Sequence, residues 1–107
     1  MQGWFVLMVA IAFEIVGTTC MKLSDGFERV GPTIGLIVAY GISFGALTLA
    51  IKTVDVGVAY AVWSGLGTAA IAAIGMVMFG EPFSYLRVFW IGVIVAGVVG
   101  LQLSSVR

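Results

Sequence analysis

The chain has 107 residues, of which 62% are hydrophobic and 9% charged; five acidic and five basic side chains cancel, and there is no histidine. Soluble domains carry about 25% charged residues, so this chain cannot clothe a folded surface for water, and lipid is the expected solvent. The zero net charge argues against a nucleic-acid partner, and the lone Cys20 makes neither an intramolecular disulfide nor a metal cluster.

Charged residues divide the chain. Residues 1–21 hold one charge, Glu14, and none falls within 30–51, 56–80 or 88–106. A bilayer core of roughly 30 Å needs about 20 apolar residues in a helix. Four transmembrane helices are therefore predicted, at about 3–21, 32–51, 57–79 and 88–106, making residues 1–107 one all-α, four-helix membrane domain. Barrel strands would alternate polar and apolar residues, and no such alternation is visible. A cleaved signal is not expected from the first span, which has no preceding Lys or Arg, contains Glu14 and is followed by three further spans.

Helix one poses the chemical question. A charged carboxylate near the middle of a membrane helix costs about 2.5–3.5 kcal/mol on insertion scales. No other span supplies a Lys or Arg to pair with Glu14. The carboxylate is then neutralised either by a proton or by a cation from outside the protein; a protonated structural Glu is the competing reading. Its helical neighbours are Ala10, Ile11, Gly17 and Thr18: Ala10 and Gly17 leave room, and Thr18 offers a hydroxyl.

In the first loop, "KLSDGFERVGP", Gly26 and the Gly31–Pro32 pair are turn and helix-start signals. On helix two, Tyr40, Phe44 and Leu47 form an i, i+4, i+7 stripe, and Gly41 and Gly45 form a small-residue pair expected to pack within the protomer. Helix three begins "GVAYAVWSGLG", with Tyr60, Ser64 and Gly67 on one face and Trp63 one turn from Tyr60. Aromatic faces attract cations; Tyr and Trp also anchor helices at membrane interfaces, and that reading competes here. Gly65 and Gly67 are expected to loosen the helix where a moving element would bend. Helix four carries Gly92, Ala96 and Gly100 at i, i+4, i+8, with Gly97 beside them. Small residues at that spacing let helices approach closely in lipid, and an interface between protomers is expected there, because four helices alone enclose little space.

With four spans both termini share a side, which carries Lys52 and Arg107 against Lys22, Arg29 and Arg87 opposite. So small a bias leaves two readings open: that one charge fixes the orientation, or that the chain inserts both ways round.

With these residues in view the sequence resembles the small multidrug resistance family of bacterial proton-coupled exporters over essentially its whole length. "EIVGTTCMKLSDGF" with Glu14 and "GVAYAVWSGLG" with Tyr60, Trp63 and Ser64 carry the resemblance. It implies an antiparallel homodimer of dual-topology protomers in the bacterial cytoplasmic membrane, with a heterodimer as a variant, in which proton and hydrophobic cation compete for Glu14. It also implies substrate contacts from Trp63, Tyr60, Tyr40 and Phe44, and a third-helix kink at Gly65 and Gly67. Thr18, Gly17, Ala10, Leu47 and Ser64 complete the expected pocket. No cofactor or metal is implied.

Two branches of the family divide the sequence. "GTT" after Glu14 and "WSG" look like the exporters of quaternary ammonium compounds, whereas "FGEPFSYLR" and "AGVVGLQL" look like the guanidinium exporters. The guanidinium branch typically has Trp where Gly17 stands. Guanidinium is small, planar and strongly hydrated, and selecting it needs a tight ring of acceptors; the room beside Glu14 suits a larger, softer cation. Outside the family, an ion channel or a structural membrane subunit remain alternatives; an enzyme is not expected, since there is no nucleophile–base pair, metal cluster or phosphate loop.

Overall fold

The computed structural model describes residues 2–105 and contains four helices: α1 (Gln2–Leu23), α2 (Val30–Ala50), α3 (Val56–Met78) and α4 (Tyr85–Ser105). Each is long and apolar enough to cross a membrane. The expected end of helix four at Val106, and Arg107 with its charge, lie outside the described residues. Two helix starts fall two or three residues earlier than expected, α2 at Val30 and not 32, and α4 at Tyr85 and not 88. Pro32 is accepted inside the first turn of α2, where an N–H has no helical partner to lose. α4 starts at Tyr85 because the Ser84 hydroxyl accepts the Arg87 N–H at 3.1 Å, an N-cap that the hydropathy pattern does not reveal.

The helices do not close into a bundle. α1 packs against both α2 and α3, and α4 packs on α3, so the order in space is α2, α1, α3, α4. The result is a slab of 46 × 34 × 16 Å. Its apolar core lies at one end: Leu7 and Ile11 of α1, Ala50 at the end of α2 and Val54 in the loop after it, Ala59 and Val62 of α3 and Val98 of α4. Across the α1–α2 seam the fully buried Ser43 donates its hydroxyl to the Ala10 carbonyl at 2.6 Å. That satisfies the hydroxyl in a setting without water, as buried polar groups require.

α4 is the least covered helix. Gly92, Ala96, Gly97 and Gly100 are exposed, and a Cβ built on any of the three glycines meets nothing within 4 Å. Gly41 and Gly45 on α2 are open in the same way, so the packing within the protomer expected of them is not found; the α1–α2 seam uses Leu36, Ala39 and Ser43 on another face of that helix.

Candidate functional site: a carboxylate in an aromatic groove

Between α1, α2 and α3 lies a cavity of about 580 Å³. It is lined by Glu14 and Thr18 of α1, Tyr40 and Phe44 of α2, and Tyr60, Trp63, Ser64, Gly67, Thr68, Ile71 and Ala72 of α3; Glu81, from the α3–α4 loop, completes it. Among the described residues no Lys or Arg contributes to the lining. Its volume is that of a small-molecule site. It is a groove rather than a closed chamber, since Phe44 and Tyr60 are 51% and 62% exposed.

Glu14 is held from two sides. The Thr18 hydroxyl, one turn on, donates to Glu14 Oε2 at 2.7 Å. Tyr40 Oη lies 2.6 Å from the same hydroxyl. Thr18 has a single hydrogen, which goes to the carboxylate, so the Tyr40 O–H donates to Thr18. Two hydroxyls therefore form a chain that ends on the Glu14 carboxyl group; when that group is ionised, the bond it accepts is of the strong, charge-assisted kind. On the other side the carboxylate rests on α3 at Gly67, where a Cβ would collide with Glu14 Oε1.

Four rings continue the wall. Tyr40 meets Phe44 edge to face at 6.1 Å, Phe44 meets Trp63 at 5.5 Å, and Trp63 meets Tyr60 at 5.8 Å, with interplanar angles of 69–79°. Trp63 Nε1 is buried without a hydrogen-bond partner among the described residues. The arrangement can hold an organic cation: it offers carboxyl groups and several ring faces, with no basic side chain among the described lining residues.

Glu14, Thr18, Tyr40, Phe44, Tyr60, Trp63 and Ser64, singled out in the sequence, thus come together around one cavity. Three others do not. Ala10 is fully buried in the α1–α2 seam, where its carbonyl accepts the Ser43 hydroxyl. Leu47 packs on the apolar core instead of on the groove. Gly17 faces α2, and the space it leaves is filled by the Tyr40 ring rather than by a cavity. Gly65 and Gly67 lie inside an unbroken α-helix. Their lack of a side chain is used for close approach, Gly65 to Val98 and Ile94 of α4 and Gly67 to Glu14. Sequence reasoning missed Thr68, Ile71 and Ala72, whose spacing of three and four residues from Ser64 and Thr68 continues the face already recognised. It also missed Glu81, which no periodicity could have located.

The placement of Gly17 makes a specific test. Gly17→Trp is expected to drive the Tyr40 ring out of its seat and break the Tyr40–Thr18 hydrogen bond, worth about 1 kcal/mol. Lost affinity for all cations, with Tyr40→Phe reproducing about that part of it, is the expected result in a binding assay. Unchanged affinity in Gly17→Trp would mean that Tyr40 is not seated by this contact.

Residues 2–94 match the family model described as Small Multidrug Resistance protein. The chain is 50% identical over 102 residues to the uncharacterised membrane protein YvaE of Bacillus subtilis (strain 168), covering 95% of this chain and 86% of that one. It is 44% identical over 105 residues to the quaternary ammonium compound-resistance protein QacE of Escherichia coli, covering 98% and 96%. It is 43% identical over 103 residues to the multidrug resistance protein Mmr of Mycobacterium tuberculosis (strain ATCC 25618 / H37Rv), covering 95% and 96%.

Proposed function

The chain belongs to the small multidrug resistance family, and from that premise we propose that it is an antiporter that exports hydrophobic and quaternary ammonium cations in exchange for protons across the bacterial cytoplasmic membrane. The observation that carries the reading is Glu14, a carboxylate inside an aromatic groove with no basic residue in its lining among the described residues. The names of QacE and Mmr, which concern resistance to quaternary ammonium compounds and to multiple drugs, support it further.

The mechanism follows from mutually exclusive occupancy. When ionised, Glu14 accepts the hydrogen bond from Thr18 and offers its charge to a cation seated against Tyr60 and Trp63. When protonated, it loses the charge that attracts the cation and becomes a donor, and the two-hydroxyl chain through Thr18 and Tyr40 can reverse its direction. Proton arrival therefore expels the substrate, and substrate arrival expels the proton; alternating exposure of the groove to the two sides of the membrane turns this competition into exchange.

A slab with one open groove does not seal itself. We infer that two protomers, inserted in opposite orientations, close the groove between them, with α4 joining them through Gly92, Ala96, Gly97 and Gly100. The open faces of these residues and the weak charge bias of the loops support this arrangement. Labelling an added C-terminal cysteine from each side of the membrane reads the orientation directly, and a single orientation in fully active protein would refute it.

The substrate class is tested by parallel electrical recordings from proteoliposomes given tetraphenylphosphonium or guanidinium. Currents from tetraphenylphosphonium, with weak ones from guanidinium, are expected. A groove of about 580 Å³ walled by four rings offers bulk and stacking surface rather than the tight ring of acceptors that a small hydrated ion needs. Robust guanidinium currents with none from tetraphenylphosphonium would assign the chain to the guanidinium-exporting branch.

A further inference from the structure

Glu81 is the second carboxylate of the groove, and its position is built. Phe79 and Glu81 both donate their backbone N–H to the Gly75 carbonyl, each at 3.1 Å, and Gly80 between them takes a left-handed φ of 65°. This turn folds the chain back over the last turns of α3 after the helix has ended. The Glu81 side chain then lies across the α3 backbone at Gly75, in the space a Cβ there would occupy. The carboxylate therefore borders both the groove and a neighbouring cavity of about 330 Å³.

Gly67, Ile71 and Gly75 fall at i, i+4, i+8 and share one face of α3. Glu14 rests on the first and Glu81 on the third. At the helical rise, eight residues separate the two contact points by roughly 12 Å. Between them lie apolar or weakly polar groups, and Ile71 lines both cavities. Of the basic side chains near this end among the described residues, Lys22 lines the neighbouring cavity and not the groove, and the Arg87 guanidinium donates to the Pro82 carbonyl at 3.1 Å.

Resting on the efflux reading above, we infer that Glu81 is a specificity-determining residue that makes the groove favour elongated dications, one charge at Glu14 and the other at Glu81, over monocations of equal hydrophobicity. A monocation uses only the Glu14 end; a molecule with two quaternary nitrogens roughly 12 Å apart, the spacing of the two contact points along the helix, meets both carboxylates at once. The second contact is intramolecular once the first is made, so it adds affinity without a second association cost.

The test is displacement of labelled tetraphenylphosphonium from the full-length protein in proteoliposomes. The competitors are α,ω-bis(trimethylammonium)alkanes of graded length and alkyltrimethylammonium ions of matched carbon number. For the wild type we expect the dication advantage to peak at the chain length that spans the two carboxylates. An advantage that is absent, or that simply grows with carbon number, overturns the proposal. In Glu81→Gln the dication-to-monocation affinity ratio should fall roughly fivefold, the upper range for an ion pair open to solvent, and Glu81→Asp should restore part of it. Gly75→Ala gives an independent variant, because its Cβ displaces the carboxylate without removing it; it should lower the ratio as well. A ratio unchanged in both Glu81→Gln and Gly75→Ala overturns the role of Glu81. Failure of the efflux reading has a different signature: wild-type protein would bind tetraphenylphosphonium without any competition from protons.

Discussion

Glu14→Gln is expected to abolish proton-linked cation binding while the protein still inserts and folds. The amide keeps the shape of the carboxyl and can still accept the Thr18 hydroxyl that reaches Glu14 Oε2 at 2.7 Å, so the α1–α2 seam loses nothing that holds it together. What disappears is the charge. For a cation about 4 Å from a carboxylate, at an effective dielectric constant near 20, the attraction is about 4 kcal/mol, equivalent to roughly a thousandfold in affinity. Release of protons on addition of tetraphenylphosphonium should vanish together with binding, whereas Glu14→Asp should retain both with an altered pH range. Normal export by Glu14→Gln under a pH gradient would defeat the competition mechanism. The same variant tests the proposed dimer. When wild-type and Glu14→Gln chains are mixed before reconstitution, activity should fall with the square of the wild-type fraction if one site needs both carboxylates. A linear fall would mean that each protomer works alone.

The second large effect is expected at Gly67, which touches no substrate by side chain. A Cβ there would collide with Glu14 Oε1. Because the colliding atom ends a flexible side chain, the carboxylate is the group that gives way to a Cβ there. Gly67→Val should swing Glu14 off α3 and away from Thr18, at a cost of about 2 kcal/mol for a hydrogen bond to a charged acceptor, or roughly thirtyfold in tetraphenylphosphonium affinity. The readout that separates this from general damage is the pH dependence of binding, which should shift in Gly67→Val because the environment of the proton site has changed. Wild-type affinity and pH dependence in that variant would show that Glu14 does not depend on the bare backbone of α3.

Residues that act through a neighbour recur in this molecule. Gly17 seats Tyr40, Tyr40 orders Thr18, and Thr18 holds Glu14. A change at the start of that chain is felt at its end with no altered contact to the cation. Trp63 differs, since it touches the groove directly and its Nε1 is buried without a partner among the described residues.

The number of helices, their membrane-spanning character and the placement of Glu14 inside a span were all legible in the sequence. Each depends on where charge is absent, and the cost of a charge in lipid does not depend on how helices pack. The aromatic residues Tyr40, Phe44, Tyr60 and Trp63 were legible too, because i, i+3 and i+4 spacing fixes which side chains share a helix face. Spacing does not fix where that face points. In helices that are apolar nearly all round, no contrast between a wet and a dry side gives the direction, so Ala10, Gly17 and Leu47 could be assigned to the groove although packing turns them to α2 or to the core. Glu81 lay beyond sequence reasoning for another reason: its place depends on the reversal at Gly80 and on the vacancy at Gly75 that receives it, a contact between a loop and a helix end that no periodic pattern encodes. Tertiary structure alone decided the row order α2, α1, α3, α4. Glycines stand at its close contacts, Gly17 and Gly35 between α1 and α2, Gly67 between α1 and α3, and Gly65 between α3 and α4, and the row leaves the groove open on one face.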